Sequence, residues 1–383
     1  MILNQKKKFS LPAGVTYLNG AYMSPLLKSV ERAGIEGIKE KRDPSTVPPS
    51  AFFDGSVKLR RAFAQLINVR DENRIAIVAA ASYGLASVAR NLNVDRSHNM
   101  IIAGEQFPSN VYPWMGVSRD TGATLRTVSA PSELPNRGKI WNERILDAID
   151  RDTRLVALGH VHWADGTMFD LMQIRKRTRD VGALLVADGT QSVGALPFDV
   201  ARIQPDALIC SGYKWLMGPY AIGLAYFGEY FDQGRPIEES WLNRKNSENF
   251  SGLVRYDEEY QSAARRYEVG EHSNFILVPM MEAALQQVNA WKPAEIQSYS
   301  TRITGPAVAA LRAAGCWIED DAFRSHHLFG LRLPPGSDFE KMRSRLRDQR
   351  IAVSVRGDAF RISAHVYNSA SDLKKLVRAL TVG

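Results

Sequence analysis

Two side chains that could take part in one reaction follow neighbouring apolar runs of the sequence. The run Ala183-Leu-Leu-Val-Ala ends in Asp188, and Lys214 stands soon after the next run, in Ser211-Gly-Tyr-Lys-Trp. A buried carboxylate is costly unless a cation meets it, and a protonated pyridine nitrogen is such a cation. A lysine amine can form a Schiff base with an aldehyde on the same ring. The pair therefore matches the needs of an enzyme that holds pyridoxal 5′-phosphate (PLP).

The separation of Asp188 and Lys214 fits one strand-helix-strand unit, which takes roughly 30 residues. They could therefore sit on adjacent strand ends. Taken singly, Asp188 would be an ordinary turn residue and Lys214 a surface amine. The surrounding segments Ala187-Asp-Gly-Thr-Gln-Ser and Cys210-Ser-Gly-Tyr-Lys favour the functional interpretation.

Further candidate site residues come just after other predicted strands. Ser82 opens a predicted helix, where backbone N–H groups and the helix dipole favour an anion such as a cofactor phosphate. Phe107 could stack its ring on a pyridine ring. His160 and His162 would share one face of a strand, which makes a metal pair conceivable. No carboxylate or cysteine partner has suitable spacing, so we expect a wall of the site or simple packing there, and no metal.

The bulk properties are those of a soluble globular protein. The chain has 383 residues, of which 45% are hydrophobic and 23% are charged. Its length predicts two domains. No apolar run is long enough for a membrane span, and the N-terminus lacks the form of a secretory signal. Two cysteines fit a reducing compartment, so we expect a cytoplasmic protein. The net charge is +8, but the basic runs are short and scattered, and we expect no nucleic-acid partner.

The elements that must position these residues follow an α/β pattern. Helix-like stretches alternate with seven predicted strands, which begin at Arg74, Met100, Ala123, Leu155, Leu184, Ala207 and Ile222. Several strands are continuously apolar, as in a mostly parallel sheet covered on both faces, and ligands bind at the carboxyl ends of such strands. The stretch from Glu229 to Glu268 is predicted to be irregular. After it, strands beginning at Leu328, Ile351 and Phe360 predict a smaller α+β domain.

Together these residues resemble the class V aminotransferase family, a branch of the fold-type I PLP-dependent enzymes. The group also includes cysteine desulfurases, kynureninases and isopenicillin N epimerase. The resemblance extends from Tyr17-Leu-Asn-Gly-Ala to Arg361-Ile-Ser-Ala-His. It implies an N-terminal arm (residues 1–20), a large cofactor-binding domain (21–270) with a mostly parallel seven-stranded sheet, and a small C-terminal domain (271–383).

The resemblance also implies a role for each site residue. Lys214 would provide the Schiff base and the general base, and Asp188 would pair with the pyridine nitrogen. Gln191 would bind the phenolic oxygen of the cofactor, and Phe107 would stack on its ring. The phosphate would be held by Ser82, Tyr83, Ser211 and Tyr213.

Substrate binding and subunit assembly are implied as well. Arg361 matches the arginine that grips a substrate α-carboxylate, a role that suits its planar guanidinium. The other predicted substrate contacts are Asn19, His162, Trp163 and Arg356. Such enzymes are homodimers with shared sites, and the segment Gly270-Glu-His-Ser-Asn would bring His272, Ser273 and Asn274 to the partner's cofactor.

Two departures from the family pattern bear on the reaction. The loop from Val355 to Phe360 has no cysteine, so desulfuration through a thiol is not expected. Tyr213 stands where desulfurases have a histidine, and Trp163 where many have an asparagine. The sequence predicts an enzyme acting at the α-carbon of an amino acid, with transamination first. The alternatives are a C–S or C–C lyase, an amino-acid epimerase and, more distantly, a non-catalytic cofactor-binding protein.

Overall fold

A seven-stranded sheet forms the centre of the computed structural model, which describes residues 2–381. Its strands are β2 (Ile75–Val78), β3 (Asn99–Ala103), β4 (Thr124–Val128), β5 (Thr153–Gly159), β6 (Leu184–Asp188), β7 (Ala207–Ser211) and β8 (Gly223–Phe227). Their order is β2-β8-β7-β6-β5-β3-β4. Only β8 runs antiparallel to its neighbours. The mostly parallel α/β sheet predicted from the sequence is confirmed.

Helices cover both faces of this sheet because its strands are apolar on both sides. In β2, for example, Ile75 and Ile77 pack into one hydrophobic core while Ala76 and Val78 pack into another. The helices are α1 (Lys28–Glu40), α2 (Ala51–Leu66), α3 (Ala81–Arg90), α4 (Tyr112–Thr121), α5 (Arg137–Ala148), α6 (Leu171–Asp180), α7 (Val200–Ile203), α8 (Leu277–Trp291), α9 (Pro293–Ala313), α10 (Phe339–Asp348) and α11 (Ala370–Thr381).

A second, smaller set of strands comes mainly from the C-terminal part of the chain. β9 (Leu328–Arg332), β11 (Ser354–Arg356) and β12 (Ala359–Ser363) form a three-stranded sheet, and β10 (Ile351–Ala352) pairs in parallel with β1 (Thr16–Tyr17). The single strand predicted from Ile351 is thus wrong. The strand is interrupted at Val353, because β10 pairs with β1 whereas β11 pairs with β12.

The N-terminal residues pack with this smaller unit. Phe9, Leu18 and Leu27 belong to the same hydrophobic core as Phe360 and Leu376. The division at residues 20 and 270 stays a prediction. Residues 229–268 contain no strand and only short 3-10 helices, as predicted. No helix within residues 2–381 has the length and apolar character to cross a membrane.

Candidate active site

Asp188 and Lys214 meet at the carboxyl edge of the large sheet. Asp188 is the last residue of β6, which pairs in parallel with β7. Lys214 lies in the connection from β7 to β8, a segment too short for the crossover that a parallel strand would need. The connection therefore turns back over the sheet edge. It places the amine beside the end of β6.

Both groups are buried, and burial shifts their proton affinities in opposite directions. The N–H of Thr190 donates to Asp188 Oδ1 at 2.9 Å. Burial nevertheless raises the pKa of Asp188, against the opposing effects of Thr190 and Lys214. Burial lowers the pKa of Lys214 to about 8, with Asp188 opposing the shift and Arg361 adding to it. The site thus holds a carboxylate that a ligand cation would stabilise and an amine that is partly uncharged near neutral pH.

A cavity opens beside these two residues at the sheet edge. Eight predicted site residues line it: Phe107, His162, Trp163, Asp188, Gln191, Ser211, Tyr213 and Lys214. Sequence reasoning missed three polar residues that line it too, which are Gln106, Asn110 and Thr190. Gln106 and Asn110 lie in the same loop after β3 as Phe107. The sequence signal that could have found them is that polar residues closely follow the end of a predicted strand. The cavity therefore brings together most of the predicted cofactor residues.

Aromatic rings enclose the Lys214 amine. Its Nζ lies 5.2 Å from the ring centroid of Phe107 and 5.5 Å from that of Tyr213. The Phe107 ring meets Trp163 edge to face, with centroids 5.4 Å apart. A planar cofactor ring attached at Lys214 would thus find aromatic surface beside it.

The Gln191 side chain binds protein groups on both sides. Its Nε2 donates to Ala21 O at 3.1 Å, and its Oε1 accepts from Trp215 Nε1 at 2.9 Å. The turn after it packs closely on the lysine segment: Gly194 has φ +101°, and a Cβ there would lie 2.3 Å from Trp215 O. One amide hydrogen of Gln191 is still available. Its contact with the phenolic oxygen stays a prediction.

The predicted phosphate residues divide into two groups. Ser211 and Tyr213 line the cavity, and the Ser211 N–H donates to Thr190 Oγ1 at 3.1 Å. Ser82 and Tyr83 lie in the first turn of α3, which begins without a side-chain cap, as an anion site at a helix N-terminus would. The Ser82 side chain is exposed. The Tyr83 hydroxyl is buried, and burial followed by the charge of Glu238 raises its pKa.

The predicted substrate residues form one wall next to the cavity. Arg361 is 1% exposed; it donates to Trp163 O at 2.8 Å and approaches Ser354 Oγ at 3.4 Å. The Ser354 hydroxyl in turn donates to Asn19 Oδ1 at 2.6 Å. Arg356 lies against the Trp163 ring. The wall is built from three distant parts of the chain, and it presents two guanidinium groups.

His162 is held by hydrogen bonds at both ring nitrogens. Its Nδ1 lies 3.1 Å from Asp165 Oδ1 and its Nε2 lies 3.1 Å from Glu105 O. Asp165 also pairs with Arg137 at 2.5 Å. Both nitrogens are thus occupied by protein groups, and a substrate would meet the ring rather than a free nitrogen. Among residues 2–381, no three potential metal ligands form a cluster.

The segment expected to serve a partner subunit lies away from this cavity. Asn274 Oδ1 accepts from the N–H groups of Ile276 and Leu277 at 3.0 and 2.8 Å, so it caps α8. His272 Nδ1 lies 2.9 Å from Ser56 Oγ. Neither Ser273 nor Asn274 lines the cavity of its own chain. Their role across a dimer interface stays a prediction.

Comparison with known proteins finds similarity to one enzyme family over most of the chain. The profile of the family described as aminotransferase class-V matches residues 51–379. The chain belongs to this family. An uncharacterized aminotransferase, YcbU of Bacillus subtilis, is 24% identical over 83% of this chain and 81% of that protein. Isopenicillin N epimerase of Amycolatopsis lactamdurans is 25% identical over 98% of this chain and 97% of that protein.

Solved structures share the fold. A mutant of C-DES with glycine covalently linked to its PLP cofactor has a TM-score of 0.87, with 19% identity and 99% of both chains covered. The residues of this chain also fit that cofactor, since the buried Asp188 carboxylate forms no ion pair within residues 2–381 and the buried Lys214 amine lies near enough to act on it by charge. PLP is the cofactor of this class V protein.

Proposed function

We propose that this class V protein is an aminotransferase that acts at the α-carbon of an amino acid. The observation that carries the proposal is the placement of Lys214. Lys214 is 6% exposed and lines the cavity with Asp188, and the charge of Arg361 helps to lower the pKa of its amine. A base, a carboxylate for the cofactor ring and a cation for the substrate thus converge at one point.

Each of these side chains has a task that its surroundings support. Lys214 can take up and release a proton near neutral pH, because its pKa is about 8. Arg361 can bind the α-carboxylate, and Asp188 can keep the cofactor ring protonated. PLP supplies an electron sink for negative charge that develops at the α-carbon. Phe107 and Trp163 shield the reacting groups from water.

Transamination is favoured over a two-base epimerisation because the side chains that line the cavity offer one ready base, Lys214. Four titratable side chains line the cavity: His162, Asp188, Tyr213 and Lys214. His162 is bonded at both nitrogens, and Asp188 is assigned to the cofactor ring. Burial raises the pKa of Tyr213, so its hydroxyl keeps its proton. A single base that moves a proton between two carbons suits this arrangement.

A thiol-dependent reaction has no support at the cavity. Cys210 is buried within β7, and Cys316 is buried near the end of α9. Neither residue is among those that line the cavity. The absence of a cysteine between Val355 and Phe360, noted in the sequence, is thus not made up by another part of the chain.

We further propose that the protein is a homodimer in the cytoplasm. Aromatic side chains of α2 and of the irregular region form a cluster near the chain surface, which includes Phe52, Trp241 and Phe250. The nearby segment with Ser273 and Asn274 does not line the cavity of its own chain. Sedimentation analysis of the holoenzyme would test the assembly, and a monomer with full activity would contradict it.

The reaction is tested by mixing the PLP-loaded enzyme with single L- and D-amino acids in the absence of a keto acid. Conversion of the cofactor to pyridoxamine phosphate, together with a keto acid seen by mass spectrometry, is expected. Cleavage or inversion of the amino acid with PLP unchanged would show a lyase or an epimerase. Such a result would reject transamination.

The role of Lys214 is tested in the same assay with a matched pair of variants. Lys214→Ala should lower the conversion rate by roughly 10²–10⁴-fold or more, the usual contribution of a general base. Lys176→Ala, at an exposed position of α6, should convert at the parental rate. Undiminished conversion by Lys214→Ala would remove the basis of the proposal.

A further inference from the structure

Two arginines, Arg356 and Arg361, emerge from the same face of one hairpin. Arg361 lies opposite Ser354 in the register of β11 and β12, and Arg356 is two positions beyond Ser354 on β11. Side chains two residues apart on a strand point to the same face. The guanidinium carbons lie 5.1 Å (Arg356) and 5.9 Å (Arg361) from the ring centroid of Trp163. One indole ring is thus shared by two cations.

Neither arginine has a carboxylate partner among residues 2–381. The Nε atoms of Arg356 and Arg361 are buried without a hydrogen-bond partner. Arg332, which lines the same region, pairs instead with Asp358 at 3.0 Å. Burial lowers the pKa of Arg361 to about 9, and the charge of Arg356 adds to this effect. Two like charges that are close together and partly desolvated would be stabilised by bound anions.

The two arginines lie at different depths. Arg361 is almost fully buried on the inner wall. Arg356 lines a groove that leads outward, and two other groove residues, Gln106 and Trp163, also line the cavity. Groove and cavity therefore adjoin each other at Gln106 and Trp163. A substrate whose α-carboxylate reached Arg361 could extend its side chain past Trp163 toward Arg356.

We propose that the substrate is an amino acid with a second anionic group in its side chain. The inference rests on the proposed function and deepens it: Arg361 binds the α-carboxylate, and Arg356 binds the distal anion. Each guanidinium offers a planar pair of N–H donors that fits one carboxylate. A neutral side chain would leave the charge of Arg356 uncompensated beside Arg361. The pair thus selects for acidic amino acids and against their amides.

The test compares isosteric amino acids in the half-reaction of the PLP-loaded enzyme. We expect L-glutamate or L-aspartate to exceed its own amide in kcat/KM by roughly 10- to 100-fold, the range for a hydrogen bond to a charged group. The same assay with L-cysteate and O-phospho-L-serine shows whether the enzyme selects a side-chain carboxylate or accepts any side-chain anion. Equal reactivity of acids and amides would overturn the inference and leave transamination standing.

Two variants assign the preference to its residue. Arg356→Gln should bring the acid-to-amide ratio close to one, whereas Arg332→Gln should preserve it, because Asp358 already neutralises Arg332. If Arg356→Gln weakened acid and amide equally, Arg356 would act on the α-carboxylate and the inference would be wrong.

Binding without chemistry separates this inference from the proposed function. Calorimetric titration of the holoenzyme should show glutarate binding roughly tenfold more tightly than butyrate, with the difference lost in Arg356→Gln. If no amino acid converted the cofactor but this difference persisted, the aminotransferase proposal would fail and the anion site would stand. Equal binding of both acids would contradict the anion site directly.

Discussion

The capture of PLP by the apoenzyme should depend on pH through Lys214. Only the uncharged amine attacks an aldehyde, and burial lowers the pKa of this amine from 10.5 to about 8. That drop corresponds to about 3 kcal/mol at roughly 1.4 kcal/mol per pKa unit. At pH 7 the uncharged fraction is then about 9%, against about 0.03% for an ordinary lysine, a gain of roughly 300-fold.

The assay follows the visible absorbance of bound PLP after apoenzyme and cofactor are mixed at pH 6 to 10. The reaction of PLP with Nα-acetyllysine under the same conditions corrects for the titration of the cofactor itself. The corrected rate should rise with pH up to about 8 and level off above it. A rate that still rises steeply between pH 9 and 10 would refute the reasoning, because Lys214 would then titrate like a solvated amine.

Two substitutions should move this midpoint in opposite directions. Asp188 raises the pKa of Lys214 and Arg356 lowers it. Asp188→Asn should therefore shift the midpoint to lower pH, and Arg356→Gln should shift it to higher pH. If both variants shifted the midpoint in the same direction, a change in the burial of Lys214, rather than the lost charge, would be the cause of the shift.

Three other substitutions give expected outcomes. Asp188→Asn should weaken PLP binding by roughly 30-fold or more, since losing one partner of a buried charge pair costs about 2–5 kcal/mol; equilibrium dialysis measures this, and unchanged affinity would contradict the pairing. Arg361→Gln should lower kcat/KM of the half-reaction by roughly 10²-fold through lost charge-assisted bonds; an unchanged value would place the α-carboxylate elsewhere. Arg60→Met removes the two-point partner of the buried Glu268 carboxylate, 2.9 Å away, and leaves that carboxylate with His272 and the Ile77 N–H; it should cost about 3 kcal/mol in urea unfolding. Arg61→Met, at an exposed ion pair, should cost under about 1 kcal/mol.

The sequence itself was sufficient for the sheet and for the chemical centre. Short runs rich in strand-forming residues predicted the seven strands, and several of these runs are continuously apolar because strands covered on both faces need apolar residues. The polar residues that end two of these runs predicted Asp188 and the Lys214 segment at one edge. Parallel strands bring their carboxyl ends together whatever the rest of the chain does. The cofactor followed from these two residues together with the segments around them.

Only the tertiary structure decided how the remote residues complete the site. Arg361 reaches Trp163 O, and Gln191 is bound by Ala21 and Trp215, contacts for which periodicity gives no signal. The break at Val353 likewise depends on which strand each neighbour pairs with. A local pattern fixes which face a side chain occupies. Which residue that side chain contacts is set by how the N-terminal segment, the large sheet and the C-terminal strands pack together. This packing places Arg356 and Arg361, which have no carboxylate partner among residues 2–381, near Lys214.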